Sequence, residues 1–490
     1  MTPPLFLSLL EQRDLLGRGE VSSHALTKSY IERIQALNGD WNILVRENFA
    51  AALRQAHALD ASLRATGRPV GPLHGVPFTL KDAFRVKRFG TSHGFPGVAA
   101  LLPATSCALV ERLRAAGAVF LGHTNVPFAC FDWQTNSPVH GLTRNPLDRE
   151  RTVGGSSGGS AASVAAFFSP FEVGGDVAGS LRYPAHCCGV YGLRPTHGWV
   201  PFSDVGPSFQ PQSLPNLVVG GPIARSIADL TLVLSVITAE PPATVLKPKR
   251  KLKIAFTMHW AGISPDEPSE RTIRRLLGQA RQQGHEVTEI APPFDAERCT
   301  DVYGLILGHE FKHLLPAPFR FRPFLRVFNH FFNTRRFQAG PFKESFQKGL
   351  LSTRARYQQA LSSAEQLREQ FFDRLEAFDV WLTPVAATAA IPHQRTGTWQ
   401  VLHGQRVPYA TYLGNFLVPT TLFHHPILSA PLQAASTDFP IGVQLHGKPG
   451  QDWQLLADCM QLEPLFAKKV SPQPLAPLSR VPWCPLNQAA

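Results

Sequence analysis

The chain has 490 residues, 44% of them hydrophobic and 17% charged, and a formal net charge of +12. This composition excludes a disordered or fibrous protein and is typical of a globular protein with a large buried core. The basic residues are scattered, and the densest run, KPKRKLK at 247–253, leads directly into a strand-like segment. We interpret that run as a solvated strand entry and expect no nucleic-acid partner.

Cysteine usage and the N-terminal sequence predict a cytoplasmic protein. The seven cysteines form no CxxC motif, and we interpret the adjacent Cys187 and Cys188 as buried structural thiols rather than nucleophiles. The first residues lack the basic region of a signal peptide. No segment has the roughly 20 apolar residues that a membrane-spanning helix needs.

The first half of the chain predicts an alternation of helices and strands. Residues 4–65 have helical apolar spacing, and HGVPFTLKDAF at 74–84 contains a short strand-like run. Residues 107–125 predict a helix, a glycine and a buried strand. Within 167–195 another strand leads into a glycine-rich bend, and 224–237 predicts an amphipathic helix. This order is typical of an α/β protein.

The second half changes character and then returns to the same alternation. Residues 251–375 begin with strand-like LKIAFTM and include the Phe/Arg-rich segment 319–337. After residue 376 two strands and a closing helix are predicted. We predict a single α/β domain over 1–490, with a body formed by about 1–240 and 376–490 and a variable insertion at about 245–375.

One motif suggests a zinc hydrolase but lacks the rest of such a site. HEFKH at 309–313 matches HExxH, which on a helix would place His309 and His313 on one face with Glu310 as the base. Prolines follow at once and should end the helix just past His313, and the nearest downstream carboxylate, Glu344, fits no zinc-protease pattern. We expect no metal and no cofactor.

Two glycine-rich bends suggest a nucleophilic serine. GGSSGG at 154–159 and GGDVAGS at 174–180 match neither a Walker loop nor a dinucleotide fingerprint. A nucleophilic serine needs a base and donors for an oxyanion, and backbone amides in a glycine-rich bend can supply those donors. Ser180 directly follows such a bend, and the small-residue helix predicted between the two bends could bring them together.

The segment that contains both bends, GGSSGGSAASVAAFFSPFEVGGDVAGSLRYPAHCCGVYGLRPTHG at 154–198, resembles the signature of the amidase signature family of serine hydrolases. GPLHGVPFTLKDAF at 71–84 resembles the lysine motif of that family. Further similar segments lie at 113–125, 221–230, 379–385 and 440–447. The resemblance covers most of the chain except about 245–375. It implies a large mixed β-sheet covered by helices on both faces, with a variable helical insertion.

The resemblance also implies a Ser–Ser–Lys triad without histidine. Ser180 matches the nucleophile, Ser156 the bridging serine and Lys81 the base. In the family the peptide bond before the bridging serine is cis, which Gly155 would tolerate here. The implied oxyanion hole consists of the amides of Val177, Ala178, Gly179 and Ser180, and the implied supporting residues are Ser157, Asp176 and Arg182.

The triad chemistry depends on a neutral lysine. A free lysine has a pKa of about 10.4, but burial disfavours its charged form and lowers the pKa. Neutral Lys81 would take a proton from Ser156, which takes one from Ser180. Two departures from the family pattern occur: Ala178 stands where a glycine is common, and His123 stands where many relatives have a lysine that is not catalytic.

We therefore expect an amidase that hydrolyses a small-molecule amide through an acyl-enzyme, with an apolar or aromatic acyl group. Three alternatives stay open: an acyltransferase that passes the acyl group to an amine, a glutaminase-like component of a tRNA amidotransferase, and an inactive binding protein. Phenylalanines at helical spacing in 319–337 suggest a helix that touches a membrane or an apolar substrate, or one that packs on the body. The oligomeric state is expected to be a monomer or a homodimer.

Overall fold

The computed structural model describes residues 3–97, 102–201, 214–241, 248, 251–314, 320–321, 323, 325, 341–433 and 439–467. Most of the segment 319–337, including the phenylalanines at helical spacing, therefore lies outside the described residues. Within the described part, no helix is both long enough and apolar enough to cross a membrane.

Helices make up much of the described chain, and several begin at side-chain caps that the sequence provides. Ser8 and Glu11 form a reciprocal capping box at the first helix, and Ser22 and Asp266 each cap a later one. The helices are α1 Leu9–Gly17, α2 Ser23–Trp41, α3 Phe49–Thr66, α4 Ala108–Ala115, α5 Gly158–Ala165, α6 Arg182–Cys188, α7 Ile227–Thr238, α8 Glu267–Gln282, α9 Ala296–Leu314, α10 Pro341–Leu350, α11 Arg354–Leu375, α12 Tyr409–Gly414, α13 Val418–Thr421 and α14 Asp452–Leu462.

The strands alternate with these helices along the chain. They are β1 Leu44–Glu47, β2 Pro77–Lys81, β3 Val119–Thr124, β4 Asn136–Ser137, β5 Gly141–Leu142, β6 Phe171–Asp176, β7 Tyr191–Arg194, β8 Val219–Ala224, β9 Lys253–Phe256, β10 Glu286–Glu289, β11 Val380–Pro384, β12 Gln400–Leu402, β13 Gln405–Val407, β14 Ile427–Gln433 and β15 Pro440–His446. The predicted α/β alternation is therefore present in both halves of the chain.

The largest sheet has eight strands in the order β10-β9-β11-β15-β14-β7-β8-β6. The β10-β9-β11 edge is parallel, and the remaining neighbours are antiparallel, so the sheet is mixed. Strands β6, β7 and β8 are buried along their whole length, as expected for strands covered on both faces. The buried hydrophobic residues form one continuous core.

A second sheet of three strands, in the order β1-β3-β2, lies against the large one through the contact between β2 and β6. The prediction that residues 4–65 are helical throughout is wrong at β1. Asn42 ends α2 in the left-handed conformation, and the chain from Ile43 onward extends to pair with β3. Short apolar runs of this kind do not reveal by periodicity whether they are helix or strand. Lys81 is the last residue of β2.

The predicted insertion at about 245–375 contributes both strands and helices. Its strands β9 and β10 belong to the large sheet, and its helices α9 and α10 pack closely against each other. A Cβ atom on Gly349 would lie 2.5 Å from the carbonyl oxygen of Leu305, so this close approach requires glycine. The packing fixes the face of α9 that carries Tyr303. The division of the chain into body and insertion stays a prediction.

Candidate active site

Lys81 lies at the centre of the two glycine-rich bends. Its Nζ atom donates to the Oγ atoms of Ser156 and Ser157, both at 2.8 Å, and to the carbonyl oxygen of Gly175 at 3.3 Å. The first bend leads into α5 and the second follows β6, so the helix and strand bring the bends together at the end of β2. The structure thus joins the predicted base to the predicted bridging serine.

Ser156 follows a cis peptide bond from Gly155, as the resemblance implies. Glycine is required at 155 for a second reason, which is the close approach of a neighbouring loop. A Cβ atom there would lie 2.5 Å from the carbonyl oxygen of Asp132 and 2.9 Å from the amide nitrogen of Gln134. Ser157 is also tied to the second bend, because its Oγ atom donates to the Gly175 carbonyl at 3.1 Å.

The surroundings of Lys81 favour its neutral form. The side chain is buried, and this burial lowers the pKa of Lys81 below 10.5, although the charges of Cys130, Asp176 and Glu172 oppose the shift. Among the described residues, no carboxylate lies within ion-pair distance of its Nζ atom. A buried lysine without an ion pair loses its proton at a lower pH than a free lysine, which suits the role of a base.

Ser180 lies between β6 and α6, and it is 8% exposed whereas Ser156 is 2% exposed. Its hydroxyl makes no hydrogen bond to Ser156 or to any other described residue. Hydrogen bonds between catalytic groups are often long in an enzyme without substrate and tighten in the complex. The structure therefore brings Lys81 and Ser156 into contact, and Ser180 lies at the end of the neighbouring bend without a hydrogen bond to either side chain.

Asp176 and Arg182 form a buried ion pair beside the second bend. Arg182 donates to both carboxylate oxygens of Asp176, at 3.0 and 3.1 Å, and Arg194 donates to the backbone carbonyl of Asp176 at 2.8 Å. The carboxylate also accepts the amides of Gly179 at 2.9 Å and Leu181 at 3.1 Å. Burial acts to raise the pKa of Asp176, but the two guanidinium groups outweigh it and hold the pKa below its usual range. The bend is thus wrapped around a buried anion.

Each of the four predicted oxyanion amides follows a carbonyl that has a hydrogen-bond partner. Besides the carbonyl of Asp176, those of Val177, Ala178 and Gly179 accept hydrogen bonds from the Tyr303 hydroxyl at 3.0 Å, the Trp133 indole at 2.9 Å and the Tyr183 amide at 2.8 Å. In a trans peptide the N–H group points opposite to the carbonyl, so these bonds set the direction of the amides. The Gly179 amide is used by Asp176, and the other three predicted amides donate to no described acceptor.

A pocket opens beside Ser180 and is mostly apolar. Its lining includes the rings of Phe131, Trp133, Tyr303 and Phe342 together with Leu307. The charged side chain among its described lining residues, Asp132, accepts a hydrogen bond from the hydroxyl of Tyr409 at 2.6 Å. The pocket suits an uncharged acyl group better than an ionic one.

The HExxH motif does not converge on a metal-like arrangement. His309 stacks on the ring of Tyr357 with ring centroids 4.2 Å apart. The carboxylate of Glu310 points toward Asn216 and Tyr357. Both side chains donate to the same oxygen, Oε1, at 2.7 and 2.8 Å respectively. Helix α9 spans Ala296–Leu314, so the whole motif lies on a helix. Among the described residues, no three metal-ligating side chains lie close enough together to hold an ion.

The two adjacent cysteines are buried in a helix, and His123 is buried beside a carboxylate. Cys187 and Cys188 are buried in α6, and burial raises the pKa of both thiols. His123 is buried on β3, and its Nδ1 atom lies 3.3 Å from a carboxylate oxygen of Asp82, the residue after Lys81. The histidine that departs from the family pattern therefore holds the segment that carries the predicted base.

Sequence reasoning missed three side chains that shape the site, namely Arg194, Trp133 and Tyr303. Arg194 lies in GLRPTHG, inside the segment that resembles the family signature. An arginine at the end of a buried strand indicates a buried partner for its charge, so the sequence contains a signal for this residue. Trp133 and Tyr303 lie in segments where no glycine-rich pattern or charge distinguishes them. Their contacts with the oxyanion loop, 45 and 126 residues away in sequence, follow from the fold alone.

Comparisons with known proteins identify relatives over most of the chain. A family model described as Amidase matches residues 25–456. The A subunit of glutamyl-tRNA(Gln) amidotransferase from Moorella thermoacetica is 32% identical over 480 residues, covering 92% of this chain and 95% of that protein. Indoleacetamide hydrolase from Bradyrhizobium diazoefficiens is 34% identical over 296 residues, covering 58% of this chain and 56% of that protein.

A solved structure gives the same result for the fold. The native peptide amidase from Stenotrophomonas maltophilia has 25% sequence identity and a TM-score of 0.74, and the match covers 96% of this chain and 99% of that one. The mixed sheet with its helical layers, predicted from the resemblance, is therefore confirmed. Because the family model spans most of the sequence, including the segment that lacks the family's motifs, the chain belongs to the amidase signature family.

Proposed function

We propose that this amidase cleaves a carboxylic amide through an acyl-enzyme on Ser180, with Ser156 and Lys81 as the proton relay. Action on the carbon–nitrogen bond of an amide, predicted from the sequence, is the activity of its family. The observation that carries the assignment of the residues is the buried Lys81, whose Nζ atom lies 2.8 Å from Ser156 Oγ and has no ion-pair partner among the described side chains.

The proposed reaction has two balanced steps. The Ser180 oxygen attacks the amide carbonyl carbon while its proton passes through Ser156 to Lys81, and the carbonyl oxygen becomes an oxyanion facing the bend amides. The carbon–nitrogen bond then breaks, and the proton returns through Ser156 to the leaving nitrogen, which departs as the amine. Water next attacks the ester carbonyl carbon and gives one proton to the same relay. The bond between the acyl carbon and the Ser180 oxygen then breaks, the relay returns the proton to Ser180, and the carboxylic acid is released.

The pocket favours an aromatic or other apolar acyl group. Phe131, Tyr303 and Phe342 surround the space next to Ser180, and removal of apolar surface from water stabilises binding by about 25 cal/mol per Å². The similarity to indoleacetamide hydrolase, whose name describes an aromatic acetamide, supports the same class. We therefore place arylacetamides and anilides of apolar acids first among the candidate substrates.

The second candidate is a glutaminase-like component of an amidotransferase, which the similarity to the A subunit of that enzyme favours. Glutamine carries an ammonium and a carboxylate, and both need polar partners when they are buried. Asp132 is the charged residue in the described pocket lining, and its carboxylate already accepts hydrogen bonds from Tyr409 and Thr396. The described lining therefore supports an apolar amide more strongly than glutamine.

A substrate panel tests the proposal. The purified chain is assayed against arylacetamides, acyl anilides, fatty amides and glutamine, with Ser180→Ala as the inactive comparison. We expect turnover of apolar amides and covalent labelling of Ser180 by a fluorophosphonate probe. Preferred turnover of glutamine would support the glutaminase, and a failure to label Ser180 would support the inactive binding protein.

The acceptor of the acyl group is tested separately. Nothing in the relay distinguishes water from an amine as the group that attacks the ester. Adding hydroxylamine or a primary amine to the reaction and measuring the ratio of acid to new amide resolves the two cases. We expect acid as the main product, and new amide as the main product at millimolar amine would favour the acyltransferase.

Cell fractionation and measurement of the solution mass test two further proposals, a cytoplasmic location and a monomer or homodimer. The six cysteines in the described residues are free thiols, which supports a reducing compartment. Contact of 319–337 with a membrane or an apolar substrate also stays a proposal, tested by sedimentation with liposomes with and without anionic lipid.

A further inference from the structure

The oxyanion loop is held from outside by two aromatic side chains. The hydroxyl of Tyr303, on α9, donates to the carbonyl of Val177 at 3.0 Å, and the indole of Trp133 donates to the carbonyl of Ala178 at 2.9 Å. Both rings also line the pocket next to Ser180. Each side chain thus has its polar tip on the loop and its apolar body against the space for the acyl group.

These two bonds act on different peptide units of the loop. The unit between Val177 and Ala178 is held at its carbonyl by Tyr303, and its N–H group, that of Ala178, donates to no described acceptor. The unit between Ala178 and Gly179 is held at both ends, because Trp133 binds its carbonyl and Asp176 accepts its N–H at 2.9 Å. Tyr303 is therefore the main restraint on the direction of the Ala178 amide.

The loop needs such restraints because Gly179 has φ of 94° and no side chain beyond Cα. A Cβ atom at this position would lie 2.6 Å from the side chain of Leu417, so glycine is required there for space. The required glycine leaves the peptide unit between Ala178 and Gly179 free to rotate unless its carbonyl or its N–H group is bound. An oxyanion donor contributes only when it is aimed at the developing charge before the reaction begins.

We propose that Tyr303 and Trp133 are positioning residues of the oxyanion hole, with Tyr303 directing the Ala178 amide and Trp133 reinforcing the unit that follows. This inference rests on the proposed acyl-enzyme mechanism at Ser180. It assigns part of the catalytic geometry to α9, a helix of the segment that carries none of the family's motifs.

Tyr303→Phe tests this role because it removes the hydroxyl and keeps the ring. We expect kcat to fall about 10- to 100-fold, since direct loss of one oxyanion donor costs about 10²- to 10³-fold, whereas KM stays within about 2-fold. Trp133→Phe should lower kcat less, because Asp176 still holds that peptide unit. The matched control is Tyr412→Phe, which removes a buried hydroxyl bonded to Thr388 and should leave kcat near the wild-type value.

A transition-state analogue separates positioning from a general structural effect. A trifluoromethyl ketone with the acyl chain of the best substrate forms an oxyanion on the nucleophile, whereas the product acid with the same chain does not. In Tyr303→Phe the ketone should bind more weakly by the same factor as the loss in kcat/KM, and the acid should bind unchanged. Equal weakening of both ligands, or a wild-type kcat, would overturn the inference.

Two outcomes need separate treatment. If Tyr303→Phe does not fold, Trp133→Phe carries the test with the same two ligands, and an unchanged ratio of ketone to acid affinity then counts against the inference. If the wild-type enzyme is not labelled at Ser180 by a fluorophosphonate, the proposed function fails. Labelling of Ser180 together with an unaffected Tyr303→Phe enzyme refutes only the positioning role.

Discussion

Two regions of the molecule build the site in different ways. The region 153–182 supplies Ser156, Ser180 and the loop amides from bends that are close in sequence, and glycines and small residues allow its backbone to pack tightly. The region 251–375 supplies Tyr303 and Phe342 from helices whose packing, and not a local motif, brings them to the pocket. The two proposed catalytic serines and the loop amides thus lie in one short segment, whereas tertiary packing brings Tyr303 and Phe342 to the pocket beside Ser180.

This contrast predicts a division of kinetic effects. Changes in the first region, and in Lys81 beside it, should remove the chemical step and lower kcat. Changes in the second region should weaken substrate binding and raise KM, with Tyr303 as the exception because its hydroxyl reaches back to the oxyanion loop.

Ser180→Ala should lower kcat/KM by about 10⁴-fold or more, because it removes the nucleophile and with it the acyl-enzyme route. The thermal unfolding temperature should stay near the wild-type value, since the hydroxyl that is lost makes no hydrogen bond to another described residue. Steady-state kinetics with the best substrate of the panel provide the measurement. Retained turnover in a folded Ser180→Ala enzyme would contradict the assignment of Ser180 as the nucleophile.

Lys81→Met should lower kcat about 10²- to 10⁴-fold, because the relay loses its terminal base while the side chain keeps its length. In the wild-type enzyme the base acts when neutral, and burial lowers the pKa of Lys81 below 10.5. The rate should therefore rise with pH and reach a plateau below pH 10.5. A pH–rate profile of kcat/KM checks this, and a plateau only above pH 10.5 would contradict a buried neutral base.

Phe342→Ala should raise KM about 10-fold for apolar amides and change kcat less than about 3-fold, because the lost contact is the same in the ground state and in the transition state. The control is Phe294→Ala, since Phe294 is equally buried, 7% exposed in both cases, but lies outside the pocket lining. An unchanged KM in Phe342→Ala, or equal changes in both variants, would break the contrast between the two regions.

Glu172→Gln should change the pH dependence of stability. Burial raises the pKa of Glu172 from 4.5 to about 8, so the folded protein binds this proton more tightly than the unfolded chain. Wild-type stability from this group is present below about pH 4.5 and is lost as the pH rises to about 8. The variant has no carboxyl group to titrate at this position. The difference between its unfolding temperature and that of the wild type should therefore increase by a few degrees as the pH rises from about 4.5 to about 8. The measurement is a series of thermal scans at different pH values. Plots of unfolding temperature against pH that run parallel for the two proteins would refute the prediction.

The sequence predicts the parts of this enzyme that depend on local backbone demands. The two bends and the strand that ends at Lys81 follow from local motifs, and the cis peptide before Ser156 follows from the resemblance of the first bend to the family signature. The α4–β3 unit and the closing helix α14 follow from apolar periodicity. In these cases the residues that determine the structure lie within about one element of each other.

The remaining features depend on contacts between distant residues, which periodicity does not encode. Strand β1 forms because β3 offers it a partner, although its own sequence continues a helical pattern. Tyr303 binds a carbonyl 126 residues away, and Glu172 is buried beside Thr124, 48 residues away. No local pattern distinguishes such a tyrosine or glutamate from a surface residue.

The proposed mechanism requires that Ser180 carries the acyl group, and rapid quenching can detect that group on the enzyme. The enzyme is mixed with excess acyl anilide, quenched in acid within one turnover, digested and mapped by mass spectrometry. We expect a burst of one equivalent of amine and an acyl mass that fragmentation of the peptide assigns to Ser180 itself. Turnover without an adduct, or an adduct on Ser156 or Ser157 in its place, would contradict the mechanism.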